Sequence, residues 1–145
     1  MNKKILIIPI VIAVVIIVVN FSLETPNEKN SNVFHITLAS PDLYYDGVYT
    51  NTFHIDEGEY YFRFVPNGSS PKILSVILNG QSFDFSEDFK LENTIHQTGV
   101  SEYFTWNYNG NDVFSILEKQ EILIIINPNG NIMGSVSVDI IKNLK

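Results

Sequence analysis

The sequence predicts an all-β domain, an antiparallel sandwich of about seven or eight strands, behind a single N-terminal transmembrane helix. Three observations predict it. Residues 5–19 form one apolar run. Beyond residue 33, short segments alternate apolar with polar side chains, and Asn-Gly pairs stand between several of these segments. At 145 residues the chain has the length of one domain.

The membrane element comes first. Ile5 to Val19 is rich in Ile and Val, with Pro9 as its one irregularity. Fifteen helical residues rise about 22 Å, and extension to Leu23 gives about 28 Å, close to a hydrocarbon core of roughly 30 Å. Branching at Cβ disfavours a helix in water but matters little in lipid, where the backbone must bond internally. A cleavage site needs small residues after the run, and Asn20-Phe21-Ser22-Leu23-Glu24 supplies only Ser22, so an uncleaved signal anchor is preferred to a cleaved signal peptide. Lys3 and Lys4 precede the run and all sixteen acids follow it. That asymmetry holds the N-terminus in the cytoplasm and places the rest outside, as a single-pass protein of the cell membrane. The chain divides into an anchor at 1–23, a polar linker at 24–32 and an extracytoplasmic domain at 33–145. The first implied partner is the lipid bilayer, through residues 5–23.

The domain reads as β throughout. Val33 to Ala39 sets Phe34, Ile36 and Leu38 against His35 and Thr37, a half-buried strand. Val48 to Ile55 follows, and Glu59 to Val65 places Tyr60, Phe62 and Phe64 on one face. Ile73 to Leu78 and Glu121 to Asn127 are apolar on both faces and are expected at the centre of a sheet. Gln81 to Phe85 and Glu102 to Tyr108 supply two more strands, the latter aligning Phe104, Trp106 and Tyr108 as a stripe expected in the core. Ser135 to Ile141 closes the series with Val136, Val138 and Ile140 against Ser137 and Asp139. Residues 86–100 interrupt the rhythm and read as a helical turn capped by Ser86 or as a loop. Asn67-Gly68, Asn79-Gly80, Asn109-Gly110 and Asn129-Gly130 suit type I′ turns, which need positive φ at both central residues, so neighbouring strands are expected mostly as hairpins. A closed barrel is the second architecture.

A resemblance enters on two of these strands. Gly58-Glu59-Tyr60-Tyr61-Phe62-Arg63-Phe64 resembles the core strand of GOLD-type β-sandwiches of the emp24/p24 family, where a Gly-x-Tyr-x-Phe pattern opens a strand. Gly134-Ser135-Val136-Ser137-Val138-Asp139-Ile140 is similar to the final strand of such domains. The p24 proteins also carry a cysteine pair, a coiled coil and a C-terminal membrane helix, which this sequence lacks. The resemblance therefore implies a GOLD-like fold and a membrane-tethered interaction module, and carries over no cargo function.

Composition excludes several activities. With no cysteine there is no disulfide framework, thiol catalysis, zinc ribbon or iron–sulfur ligation. Residues 24–145 hold seven Lys and Arg against sixteen Asp and Glu, a net charge of −9. That balance opposes nucleic acid as a partner, because phosphate binding needs clustered cations.

Three residue groups invite a functional reading. His35, His54 and His96 would form a metal or acid–base cluster if the strands converged, but no Ser-His-Asp or Glu-His spacing recurs, and each fits a rim position. Asp42 and Asp46 in one loop, with Asp56, Glu57 and Glu59 around the next turn, offer five carboxylates for calcium if both loops share an end of the domain. Their spacing does not match an EF-hand, and a solvated acidic rim is the competing reading. Among the aromatics, Tyr44 and Tyr45 lie in a loop where neighbours point apart, so one ring is expected to be exposed for partner contact. Asn67-Gly68-Ser69 is a glycosylation sequon in a turn. The sequence thus points to a membrane-anchored sandwich that binds or scaffolds a protein or glycan, with no cofactor and no reaction of its own. The alternative is a small metal-dependent enzyme or metal-binding surface protein using calcium or a His and carboxylate cluster.

Overall fold

The computed structural model describes residues 32–144. The expected anchor at 1–23 and linker at 24–32, Asn32 apart, lie outside them. Among the described residues no helix is long and apolar enough to cross a membrane.

Among those residues are nine strands: β1 (Asn32–Leu38), β2 (Tyr49–Ile55), β3 (Gly58–Pro66), β4 (Ile73–Asn79), β5 (Asp84–Gln97), β6 (Glu102–Asn109), β7 (Val113–Ile116), β8 (Gln120–Asn127) and β9 (Val136–Lys142). One sheet has the order β1-β9-β3-β7 and the other β2-β8-β4-β5-β6. Every pairing is antiparallel. The fold is an all-β sandwich, as the alternating segments predict, with one strand more than expected because β7 has only four residues.

Alternation decides which face each strand buries. Phe34 and Leu38 on β1, Val136, Val138 and Ile140 on β9, and Tyr60 and Phe62 on β3 point inward from the first sheet. Leu74, Val76 and Leu78 on β4, Ile122, Ile124 and Ile126 on β8, and Phe89 on β5 meet them from the second. Burying each such side chain contributes about 1.5–3 kcal/mol. Under β3 the core is aromatic: the ring of Phe62 lies 5.8 Å from Phe64, 5.5 Å from both Phe85 and Phe89, and 5.4 Å from Phe114. Strands β4 and β8, apolar on both faces, do lie at the centre of their sheet.

Two expectations are corrected. Residues 86–97 are neither a helical turn nor a loop but most of the fourteen-residue strand β5. Their polar residues at Ser86, Asp88, Lys90 and Glu92 occupy the outward positions of a strand whose inward positions hold Phe85, Phe89 and Leu91. Nor are most neighbours hairpins: only β4–β5 and β5–β6 pair consecutively, and the other connections cross between the sheets. Of the four Asn-Gly pairs only Asn129-Gly130 has positive φ at both residues, 51° and 88°, and it links the two sheets. The two-residue turn with both φ values positive and a closed bridge is Asp46-Gly47, between Tyr45 and Val48. Asn-Gly permits such a turn, but burial of the apolar faces selects which strands pair.

The connections sort into two ends. Leu38, Val136 and Pro66 stand side by side, as do Tyr49 with Ile126 and Ser75 with Asn127. The long connections 39–48, 67–72 and 128–135 therefore share one end, here called the loop end. The opposite end holds the short turns 56–57 and 117–119, the start of β1 and the finish of β9.

Candidate functional site

The most distinctive feature of the loop end is an arm. Asp84 to Lys90 of β5 pair with β4, while Lys90 to Gln97 pair with β6 alone. Beyond Lys90 the sheet is thus a two-stranded ribbon closed by the turn at 98–101, where Thr98 N donates to Ser101 O and Ser101 N to Thr98 Oγ1. Its root is fastened. Leu91 N donates to Lys72 O, and the Tyr108 hydroxyl donates to Pro71 O. Burial, and then the neighbouring Tyr44 hydroxyl, push the Tyr108 hydroxyl's pKa far above the usual tyrosine range.

The arm carries the core pattern out into solvent. Phe89, Leu91 and Ile95 share one face of β5, and Tyr108, Trp106 and Phe104 share the same face of β6, with Ile95 directly opposite Phe104. At the root this face is covered, since the Phe64 ring lies 4.6 Å from Phe89 and 5.2 Å from Tyr108. The covering strand β3 ends at Pro66. Trp106, just past it, is half-buried and sits against Gly68, where an added Cβ would lie 3.3 Å from the indole. Farther out no strand of the described residues lies opposite, and Ile95 is 54% and Phe104 48% exposed. The expected core stripe of Phe104, Trp106 and Tyr108 is therefore corrected to a gradient in which only Tyr108 is core. On the other face of the ribbon His96 stacks on Tyr103 at 4.8 Å, its Nε2 is 2.8 Å from the Thr105 hydroxyl, and Tyr103 is itself 50% exposed.

The loops beside the arm are tied together. Ser70 Oγ donates to Ser135 O, and Asn131 Nδ2 donates to Ser69 O, so two hydrogen bonds join the 67–72 and 128–135 connections. Asn67 is exposed, but its side-chain oxygen accepts from both Ser69 N and Ser69 Oγ. A shallow groove of about 320 Å³ runs between Lys72, Ile73, Pro128, Asn129 and Asn131.

Tyr44 and Tyr45 behave as adjacent residues in an extended loop should. The Tyr45 ring is 87% exposed. The Tyr44 ring packs against the core, its hydroxyl is buried without a hydrogen-bond partner, and burial raises its pKa. Only Tyr45 is available for contact. Tyr49, at the start of β2, is a core residue.

The five carboxylates are not brought together. Asp42 and Asp46 precede β2 at the loop end, whereas Asp56, Glu57 and Glu59 follow it at the opposite end. The seven residues of β2 separate the two groups by roughly 20 Å. Asp56 pairs with Lys119 at 3.1 Å, and the Glu57 carbonyl accepts from Lys142 Nζ. The histidines are also apart, with His35 on β1, His54 on β2 of the other sheet and His96 on the arm. Among the described residues no group of three or more His, Asp or Glu is placed to hold a metal ion.

One polar cluster is apparent only in the folded chain. On the outer face of the first sheet, His35, Asp139 and Arg63 stand opposite one another across β1, β9 and β3. His35 Nδ1 donates to Asp139 Oδ1 at 2.5 Å, Arg63 Nε donates to Oδ2 at 3.0 Å, and Arg63 Nη2 forms an ion pair with the same oxygen at 3.0 Å. The carboxylate is almost fully buried beneath the half-exposed side chains of His35 and Arg63. This is a His–Asp arrangement, but the adjacent hydroxyls of Thr37 and Ser137 bond each other at 2.8 Å. The carboxylate is taken up by His35, by Arg63 and by Asn32 Nδ2, which donates to Oδ1 at 3.4 Å. The cluster stitches three strands together.

Sequence reasoning missed Ile95 and the extension of the arm, although the odd-numbered apolar positions Phe85, Phe89, Leu91 and Ile95 continue the alternation through the segment read as a break. It also passed over Asp139 as an outward residue, since its partners depend on register. The segments that resemble GOLD domains form β3 and β9, hydrogen-bonded neighbours in the first sheet. Comparison with known proteins finds no matching family model, no matching curated protein and no matching solved structure.

Proposed function

We propose that this chain is a membrane-anchored, extracytoplasmic β-sandwich that binds or scaffolds a protein or glycan partner through its loop end, without catalysing a reaction. The observation that carries the reading is the uncovered stripe of Ile95 and Phe104 on an arm that projects past its own core. Exposed apolar side chains that continue a core pattern, left uncovered among the described residues, mark a surface shaped for another molecule. Tyr45 and Met133, at 87% and 74% exposure, add to the apolar character of the same end. The GOLD-type resemblance implies the same class of molecule, a membrane-tethered interaction module.

Site-specific photo-crosslinking tests the reading. A benzophenone amino acid replaces Phe104 on the arm or Leu117, 84% exposed at the opposite end, in the full chain in its own membrane. Irradiation is expected to give a discrete adduct from position 104 and none from 117. Equal yields from both positions, or no adduct at 104, would overturn it.

A further inference from the structure

We infer that the arm captures its partner by strand addition: β6 takes an extended, cationic segment of a partner protein as a sixth strand of the β2-β8-β4-β5-β6 sheet. The inference rests on the arm being the partner-binding element and specifies what it binds.

Three independent features of the arm converge on such a ligand. The first is the state of the edge. β6 hydrogen-bonds only to β5, through eight consecutive register pairs with no bulge. Open edges are usually guarded by lysine, proline, bulges or extreme shortness. The other sheet follows that practice: its edge strand β1 has a register shift between Asn32 and Phe34, and its edge strand β7 has four residues. β6, Glu-Tyr-Phe-Thr-Trp-Asn-Tyr-Asn, has no lysine, no proline and no irregularity over eight residues. β2 is a regular edge too, but both its terminal residues, Tyr49 and Ile55, are buried in the core.

The second feature is the face beside that edge. Side chains of an added strand alternate, so every second residue would lie beside Phe104 and Trp106 on the uncovered face. Apolar residues at those positions would complete the layer that β3 provides at the root.

The third is charge. Residues 91–105 contain Glu92 and Glu102 and no Lys or Arg. At the base of β6, Asp112 is offset by Lys90, the register partner of Asn109, while the domain as a whole is strongly acidic. Glu102 accepts from Gln97 Nε2 and Glu92 from Asn109 Nδ2, both on the ribbon itself, so neither charge is neutralised by a cation of those contacts. A second copy of this chain would bring the same acids against these. A segment alternating apolar and basic residues satisfies all three features together.

The chain's only tryptophan reports on the arm. Trp106 sits half-buried at its root, so its emission follows occupation of the uncovered face. The full chain in nanodiscs of zwitterionic lipid is titrated with a short peptide of alternating Val and Lys, with the same peptide in which Glu replaces Lys, and with the Val-Lys peptide N-methylated at alternate residues. A saturable blue shift is expected for the Val-Lys peptide, with Kd rising about tenfold between low and high salt. No shift is expected for the other two peptides, or for Phe104→Asp with the Val-Lys peptide. Equal response to the Glu peptide would overturn the charge argument, and equal response to the N-methylated peptide would overturn strand addition. A concentration-dependent blue shift without peptide would overturn the proposal in favour of self-association. Silence of the Val-Lys peptide with a crosslinked adduct at 104 would overturn this inference alone. Silence with no adduct would remove the binding reading itself.

Discussion

The root and the tip of the β5–β6 ribbon present the same kind of face and meet opposite fates. At the root, Phe89 is fully buried and Tyr108 nearly so; at the tip, Ile95 and Phe104 on the same two strands are about half exposed. Alternation continues along the ribbon, and apolar Ile95 and Phe104 persist at the tip among polar Asn93 and Gln97 on the same face. What changes is the opposite sheet, which ends at Pro66. Burial in a sandwich is set by where the facing layer stops, so a stripe that reads as core in one strand can become a binding surface in its outer half.

The sharpest way to break the comparison is to treat the two ends of the stripe alike. Phe89→Ala removes a ring that touches both Phe62 and Phe64 and leaves a cavity at the centre of the aromatic core. A loss of about 3–5 kcal/mol is expected in denaturant unfolding of the full chain. A cost below about 1 kcal/mol would mean that the root is no better packed than the tip, and the distinction would fall.

A second test asks whether side chains alone can cover a face. On the outer face of the first sheet no layer lies over Asp139, yet its carboxylate is nearly inaccessible because His35 and Arg63 lie across it. The buried member is the anion. Removing its charge by Asp139→Asn leaves two half-exposed partners open to water, whereas Arg63→Leu leaves a buried carboxylate with only its His35 and Asn32 hydrogen bonds. Arg63→Leu is expected to cost about 2 kcal/mol and Asp139→Asn about 1 kcal/mol. Lys119→Ala, which breaks the exposed pair with Asp56, should change stability by only a few tenths of a kcal/mol. Thermal melts of the three variants rank them, and equal costs for Arg63 and Lys119 would show that the cover contributes nothing.

The root also has a titration signature. Burial raises the Tyr108 pKa in the folded state, and Tyr44 and Tyr60 shift in the same direction for the same leading cause. The unfolded phenols lose their protons first as pH climbs past the ordinary value of 10.0. The stabilisation they contribute is therefore complete below that pH and is lost above it, as pH rises toward the folded-state values. Tyr108→Phe should cost about 0.5–1.5 kcal/mol at neutral pH, through loss of the bond to Pro71 O, while making the alkaline fall in melting temperature shallower. An unchanged alkaline slope would mean that the hydroxyl is not held at the root.

Much of the fold could be read from alternation, because a strand between an apolar core and water writes its period into the chain. β1, β3, β4, β8 and β9 appear within a residue or two of their predicted bounds. β5 escaped because its inward series is broken by Glu87, and because the polar Asn93 and Gln97 occupy inward positions that nothing covers. β7 escaped because Val113-Phe114-Ser115-Ile116 is too short to show a period. The candidate site was harder still. Trp106 and Phe104 share a face in the sequence, but only the end of β3 decides that one is half-covered and the other is not. Asp139 is similar: its strand position says outward, and only the register with His35 and Arg63 makes it buried.

The smallest expected effect bears most directly on the tip. Phe104→Ser and Ile95→Ser each replace an apolar side chain already half in water, with no layer opposite to lose. Stability should change by less than about 0.5 kcal/mol, since surface substitutions away from packed contacts rarely exceed that. Folding therefore gains little from these apolar side chains, and a two-stranded ribbon is marginal without something against its face. Amide hydrogen exchange separates the alternatives. If the tip is merely a distal piece of core, Phe104→Ser should raise exchange at Phe89 and Tyr108 as well as along 92–105. If it is an independent surface, the added exchange should stop at Lys90, and the root should keep its protection.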